Sequence, residues 1–145
     1  RLRQSNVRFD LQEQFGVLRR LKFFQEFSHT EVSEVLHASA WQQYAAGEQI
    51  IREGELDDRF YILVAGRCAV MRRGELIAML ETGDCFGEAS YVPGAKRTAT
   101  VRAVDAVTVL KVSATQLEQV SVSCQLRFNR VFLRSLIGRL QGESR

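Results

Sequence analysis

Gly83-Asp84-Cys85-Phe86-Gly87-Glu88-Ala89-Ser90-Tyr91-Val92-Pro93-Gly94-Ala95-Lys96-Arg97-Thr98-Ala99-Thr100-Val101 contains the chain's only proline and three of its ten glycines. It lies between two apolar, strand-like runs, where a backbone can leave a sheet to wrap a small molecule. Gly87 has no Cβ, so main chain and ligand can approach closely. The short residues after it suit a one-turn helix whose free N–H groups form an anion site. Arg97, nine positions after Glu88 and beyond the Pro93-Gly94 turn, has a planar fork able to grip two phosphate oxygens. A carboxylate only accepts hydrogen bonds, so Glu88 beside an anion requires a ligand that also offers hydroxyls. Anion plus hydroxyl describes a sugar phosphate or a nucleotide. The plainer alternative is a surface pair between Glu88 and Arg97, worth about 0 to 1 kcal/mol.

The Phe86-Gly87-Glu88 run, the step to Arg97 and the following Thr98-Ala99-Thr100-Val101 resemble the phosphate-binding cassette of cyclic nucleotide-binding domains. The resemblance extends over Ala46-Gly47-Glu48, Ile51-Arg52-Glu53-Gly54, Asp58, and Phe60-Tyr61-Ile62-Leu63-Val64 ending on Gly66, and covers most of the chain from about Phe23. It implies that Glu88 accepts from a ribose 2′-hydroxyl, that Arg97 pairs with the cyclic phosphate, and that backbone N–H groups near Ala89 and Ala99 complete the cradle. The ligand-binding residues expected on this basis are Phe86, Gly87, Glu88, Ala89, Ser90, Arg97, Thr98 and Ala99. Two departures from the family pattern stand out: Ala89 replaces a larger aliphatic residue, and Lys96 stands where some members have proline. Thr98 occupies a position where cyclic-AMP binders tend to have alanine and cyclic-GMP-responsive members threonine. Both ligands are expected to bind, with a slight preference for cyclic AMP.

The 145 residues fit one domain with one sizeable core. No apolar run approaches the ~20 residues of a membrane span, and the start of the chain has no signal-peptide pattern. Arg1 in place of methionine is read as a piece of a larger protein. The three cysteines, Cys68, Cys85 and Cys124, have no paired spacing. That argues against disulfides and zinc and for free thiols in a reducing cytoplasm. No metal or cofactor beyond the nucleotide is expected. A net charge of +3 is too small to indicate nucleic-acid binding.

The pattern divides into an N-terminal helical segment (1–40), a β-barrel (41–112) holding the cassette at 83–101, and C-terminal helices (113–145). Leu11, Phe15, Leu18, Leu21 and Phe24 recur at helical spacing from Phe9 to Phe24. Ser28-His29-Thr30-Glu31 is a capping box opening a second helix. From Trp41 the period becomes that of strands, with turn signals at Gly47, Gly54, Gly66, Arg73-Gly74 and Gly83. The fold class is therefore α+β, mainly β: a small antiparallel barrel or jelly roll flanked by helices. Ser113-Ala114-Thr115-Gln116 reads as another capping box, and Leu126, Phe128, Phe132, Leu133, Leu136 and Leu140 continue at helical spacing in one or two closing helices. That stripe must dock on its own barrel, over the ligand as a lid, or on a second copy. Arg127, Arg130 and Arg134 share one helical face.

The expected function is a regulatory module that binds cyclic AMP or cyclic GMP and relays binding through its helices to an output domain outside this segment. A sensor for a transcription regulator is the alternative, with its helix-turn-helix beyond the segment; so is a non-binding structural domain. No nucleophile with an adjacent base is present, so an enzyme is not expected.

Overall fold

Two four-stranded antiparallel sheets form the body of the computed structural model, which describes residues 10–141. Strands β1 (Ser39–Tyr44), β8 (Val107–Ser113), β3 (Arg59–Ala65) and β6 (Cys85–Phe86) make one sheet in that order. The other runs β2 (Gln49–Ile51), β7 (Thr100–Ala103), β4 (Cys68–Arg72) and β5 (Glu75–Leu80). Strands far apart in sequence lie side by side, with Ser39 opposite Val112 and Phe60 also opposite Val112. This is the mainly-β jelly roll that the turn tempo predicts.

The sequence of β3 explains why there are two cores. Its run Phe60-Tyr61-Ile62-Leu63-Val64 is buried throughout, and side chains on a strand alternate between faces. Phe60, Ile62 and Val64 therefore join the helical layer, while Tyr61 and Leu63 enter the space between the sheets. The β4–β5 hairpin turns on Arg73 (φ 52°) and Gly74 (φ 80°), the two positive-φ residues of a tight hairpin loop.

Among the described residues four helices flank the sheets: α1 (Leu11–Arg20), α2 (His29–His37), α3 (Ala114–Leu117) and α4 (Val122–Leu140). The continuous helix expected from Phe9 to Phe24 is shorter. It opens on a capping box between Asp10 and Glu13, ends at an extended Leu21, and gives way to a single 3-10 turn at Lys22–Phe24. That break lets the adjacent Phe23 and Phe24 both enter the core, which one straight helical face would not allow. Phe9 lies outside the described residues. The Ser28 capping box opens α2 as expected. Ser113 caps only the four-residue α3, and a separate cap, Ser121, starts α4.

Phe128 and Phe132 of α4 are fully buried, packing against Phe23 and Phe60 with ring centroids 5.3–6.3 Å apart. Leu126 and Leu133, on the stripe expected to dock, are 57% and 56% exposed in this chain. The arginine face of α4 is turned toward the N-terminal helices: Arg127 meets Glu31 at 3.3 Å and Arg134 meets Glu26. At the start of α4 the carboxylate of Glu34 accepts from the Ser121 N–H at 2.6 Å and from its hydroxyl at 2.9 Å.

Candidate functional site

The chain leaves β6 through Gly87, whose φ of +98° is a conformation that favours glycine. A Cβ here would lie 2.7 Å from the Arg59 carbonyl oxygen and 3.2 Å from the Tyr61 ring. The close approach that demands glycine is thus to β3 itself. From Gly87 a 3-10 turn runs over Glu88–Tyr91, and the Pro93-Gly94 corner returns the chain toward β7. Phe86, Gly87, Glu88, Ala89, Arg97, Thr98 and Ala99 all line one cavity of about 350 Å3. Ser90 does not. Its hydroxyl donates to the Arg59 carbonyl oxygen at 2.9 Å, and it borders a separate surface hollow with Pro93 and Gly94.

Arg97 is 4% exposed. Its Nη1 donates to the Gly87 carbonyl oxygen at 2.9 Å and its Nη2 to that of Arg59 at 2.7 Å, with Asp57 Oδ2 at 3.3 Å. Its partner is Asp57, so the surface pair with Glu88 does not form. The Arg97 Nε–H is buried without a hydrogen-bond partner among the described residues. Burying a charge is costly unless it is paired and fully hydrogen-bonded, so an acceptor on a ligand would relieve this N–H. Glu88 is exposed at the cavity edge and is free to accept hydroxyls.

Asp57 also accepts from the Tyr61 hydroxyl at 3.2 Å, and Tyr61 stacks on Phe86 with 5.0 Å between centroids and 7° between planes. Burial, aided by the negative charge of Asp57, holds the Tyr61 phenol well above its ordinary pKa, so it stays a donor. Arg97, Asp57, Tyr61 and Phe86 are therefore one connected support under the cavity. Burial likewise pushes the Cys85 thiol up to about 12, where it is an inert core group. Among the described residues no cluster of histidine, cysteine or carboxylate side chains is placed to hold a metal.

Sequence reasoning missed four contributors. Asp57 braces Arg97 from 40 positions earlier. Arg72 and the α4 pair Arg139 and Leu140 line the cavity, though Arg139 and Leu140 belong to the helix expected as a lid. Asp58 carries part of the family resemblance, but nothing in the local sequence singles out its neighbour Asp57, or Arg72 or Arg139.

The family model for the cyclic nucleotide-binding domain matches residues 41–123, more than half of the chain. The chain belongs to the cyclic nucleotide-binding domain family. It is 34% identical over 93 residues to the cAMP-dependent protein kinase regulatory subunit of Debaryomyces hansenii, covering 63% of this chain and 21% of that protein. It is also 34% identical over 80 residues to the cGMP-dependent protein kinase, isozyme 1, of Drosophila melanogaster, covering 55% and 10%. The cAMP-bound PfPKA-R structure superposes with a TM-score of 0.73 at 22% identity, over 92% of this chain and 48% of that one. This cyclic nucleotide-binding domain thus spans about a fifth or less of the two kinase-related proteins it matches. Its family is one of regulatory binding modules, and it is homologous to the regulatory domains of these kinases. No helix among the described residues is long and apolar enough to cross a membrane.

Proposed function

We propose that the cavity binds cyclic AMP or cyclic GMP and that occupancy is relayed as a rearrangement of the flanking helices to an output domain outside this segment. The observation that carries this reading is Arg97, a buried cation whose Nε–H lacks an acceptor at the floor of a nucleotide-sized cavity. In this reading a phosphate oxygen takes that N–H, and backbone N–H groups of Ala89 and Ala99 close around the phosphate. Glu88 accepts from the ribose 2′-hydroxyl, while Phe86, Gly87 and Thr98 shape the walls. Ser90 acts indirectly, through the Arg59 carbonyl oxygen that it shares with Arg97.

The relay is supported by Arg139 and Leu140, which bring the last turn of α4 to the same cavity. A ligand that touches α4 in one seat and not in another has the differential affinity that a shift requires. The output domain belongs to the same protein or a partner, in a reducing cytoplasm that suits three free thiols. A homodimer through α4 draws support from Val122, Leu126, Leu133 and Ile137, all exposed on that helix. Nucleic-acid binding by this segment is not part of the proposal, because Arg127 and Arg134 already face Glu31 and Glu26.

Calorimetry with cyclic AMP and cyclic GMP tests the reading directly. Saturable binding of at least one, abolished or greatly weakened by Arg97→Ala, is the expected result; indifference to both removes it. Light scattering across a concentration series tests the dimer.

A further inference from the structure

Besides Arg97 the cavity is lined by two more arginines, Arg72 and Arg139, together with the aliphatic Val70, Ile77, Ala78 and Leu140. Arg72, the last residue of β4, gives its Nε–H to the Thr98 carbonyl oxygen at 3.1 Å. Arg139, in the last turn of α4, has a buried Nη1 that finds no hydrogen-bond partner among the described residues. A guanidinium carries donors only, and a buried donor left unpaired is unfavourable until some acceptor reaches it. If the phosphate lies on Arg97 and the sugar on Glu88, the part of the ligand left for the remaining lining is the base.

Building on the cyclic-nucleotide reading of the cavity, we propose that Arg139 selects the base and that the site prefers cyclic nucleotides of 6-oxopurines, cyclic GMP and cyclic IMP, over cyclic AMP. A 6-oxopurine presents O6 and N7 as adjacent acceptors, the pair that an arginine fork matches best. Adenine replaces O6 with an amino donor, which sets donor against donor and leaves N7 as a single acceptor on that edge. Selection of this kind can be strong, because the wrong base leaves a buried polar group unpaired. The slight preference for cyclic AMP expected from the sequence is therefore reversed. Thr98 addresses a different atom: its hydroxyl suits the 2-amino group, which guanine has and hypoxanthine lacks.

Competition calorimetry on the 145-residue chain with cyclic GMP, cyclic IMP and cyclic AMP separates these contributions. The parent should bind the two 6-oxopurine ligands at least about ten-fold more tightly than cyclic AMP. Arg139→Gln should bring the three affinities to within about three-fold, the loss falling mainly on cyclic GMP and cyclic IMP. Arg139→Lys should restore the preference only in part, since an ammonium lacks the fork. Cyclic AMP binding as tightly as cyclic GMP overturns the assignment while leaving the cyclic-nucleotide reading intact. So does a preference for cyclic GMP that cyclic IMP does not share, which would move the selection to Thr98. A preference that survives in Arg139→Gln also overturns it. Failure of all three ligands to bind the parent overturns the underlying reading and this one with it.

Discussion

Arg97 has two duties that can be measured apart. Its terminal nitrogens hold the Gly87 and Arg59 carbonyl oxygens, and in the proposed reading its Nε–H takes a phosphate oxygen of the ligand. Removing one partner of a desolvated charge pair typically costs about 2–5 kcal/mol, or roughly thirty-fold to a few thousand-fold in affinity. Arg97→Ala should weaken cyclic nucleotide binding by that factor in calorimetry, and Arg97→Lys should recover only part. Stability should fall by the smaller ~1–3 kcal/mol of an orphaned buried carbonyl. Gly87→Ala is the converse case. It forces a Cβ to 2.7 Å from the Arg59 carbonyl oxygen at positive φ, so urea unfolding should show a loss of ~1–3 kcal/mol and the Arg97 seat should be displaced. Phe86, Gly87, Glu88 and Arg97 were legible because a short loop delivers them in sequence order to one cavity. Asp57 was not, because only the folded register of β3 brings it beneath Arg97.

At the level of elements, α2 and α4 are joined by carboxylates, which makes their packing sensitive to pH. Glu31 is 5% exposed. The Ser28 N–H holds its pKa below the ordinary 4.5, burial pushes the other way, and Arg127 adds to the lowering. A carboxyl whose folded pKa is depressed stabilises fully above its unfolded value, and that contribution is lost as pH falls through the folded one. The urea midpoint of the parent should therefore drop between about pH 5 and pH 3, and Glu31→Gln, already weaker at neutral pH, should show a shallower acid decline. An identical pH profile for the two would separate Glu31 from the helix contact. The period of α4 and the Ser28 box could be read locally, since both depend on neighbours three or four residues away. The break at Leu21 could not, because it answers to a core shared by Phe23, Phe24, Phe60 and Phe128. The burial of Phe128 and exposure of Leu126 likewise depend on which face α4 turns to α2.

For the molecule as a whole, the closing helix is both structure and cover, and the dividing line falls late in it. A chain cut before Leu126 loses Phe128 and Phe132 from the core, where Phe→Ala changes alone cost about 3–5 kcal/mol each. Such a chain should unfold, so it cannot test a lid. A chain ended after Gly138 removes only Arg139 and Leu140 from the cavity. It should keep its thermal midpoint within a few degrees while binding its preferred cyclic nucleotide about ten-fold less tightly. Hydrogen exchange at Leu136 to Leu140 should slow when the parent is saturated with nucleotide, and unchanged exchange would contradict the relay. The sheet order was beyond local reading for a related reason. The tempo of turns marks where strands break, but the pairing of β1 with β8 joins residues some 70 positions apart.

The contrast between the two kinds of contact around α4 has a mechanical consequence. Toward α2 and the turn before it, it is held at Ser121, Arg127 and Arg134 by directional, charge-assisted bonds to Glu34, Glu31 and Glu26. Toward the sheets it rests on the rings of Phe60, a contact without preferred register, with the Tyr91 hydroxyl donated to Asn129 as a polar stay. In the proposed relay α2 and α4, joined by these bonds, therefore move together. A pull applied at either flank of the domain would be felt at the other, and a nucleotide that anchors the last turn of α4 would brake both at once.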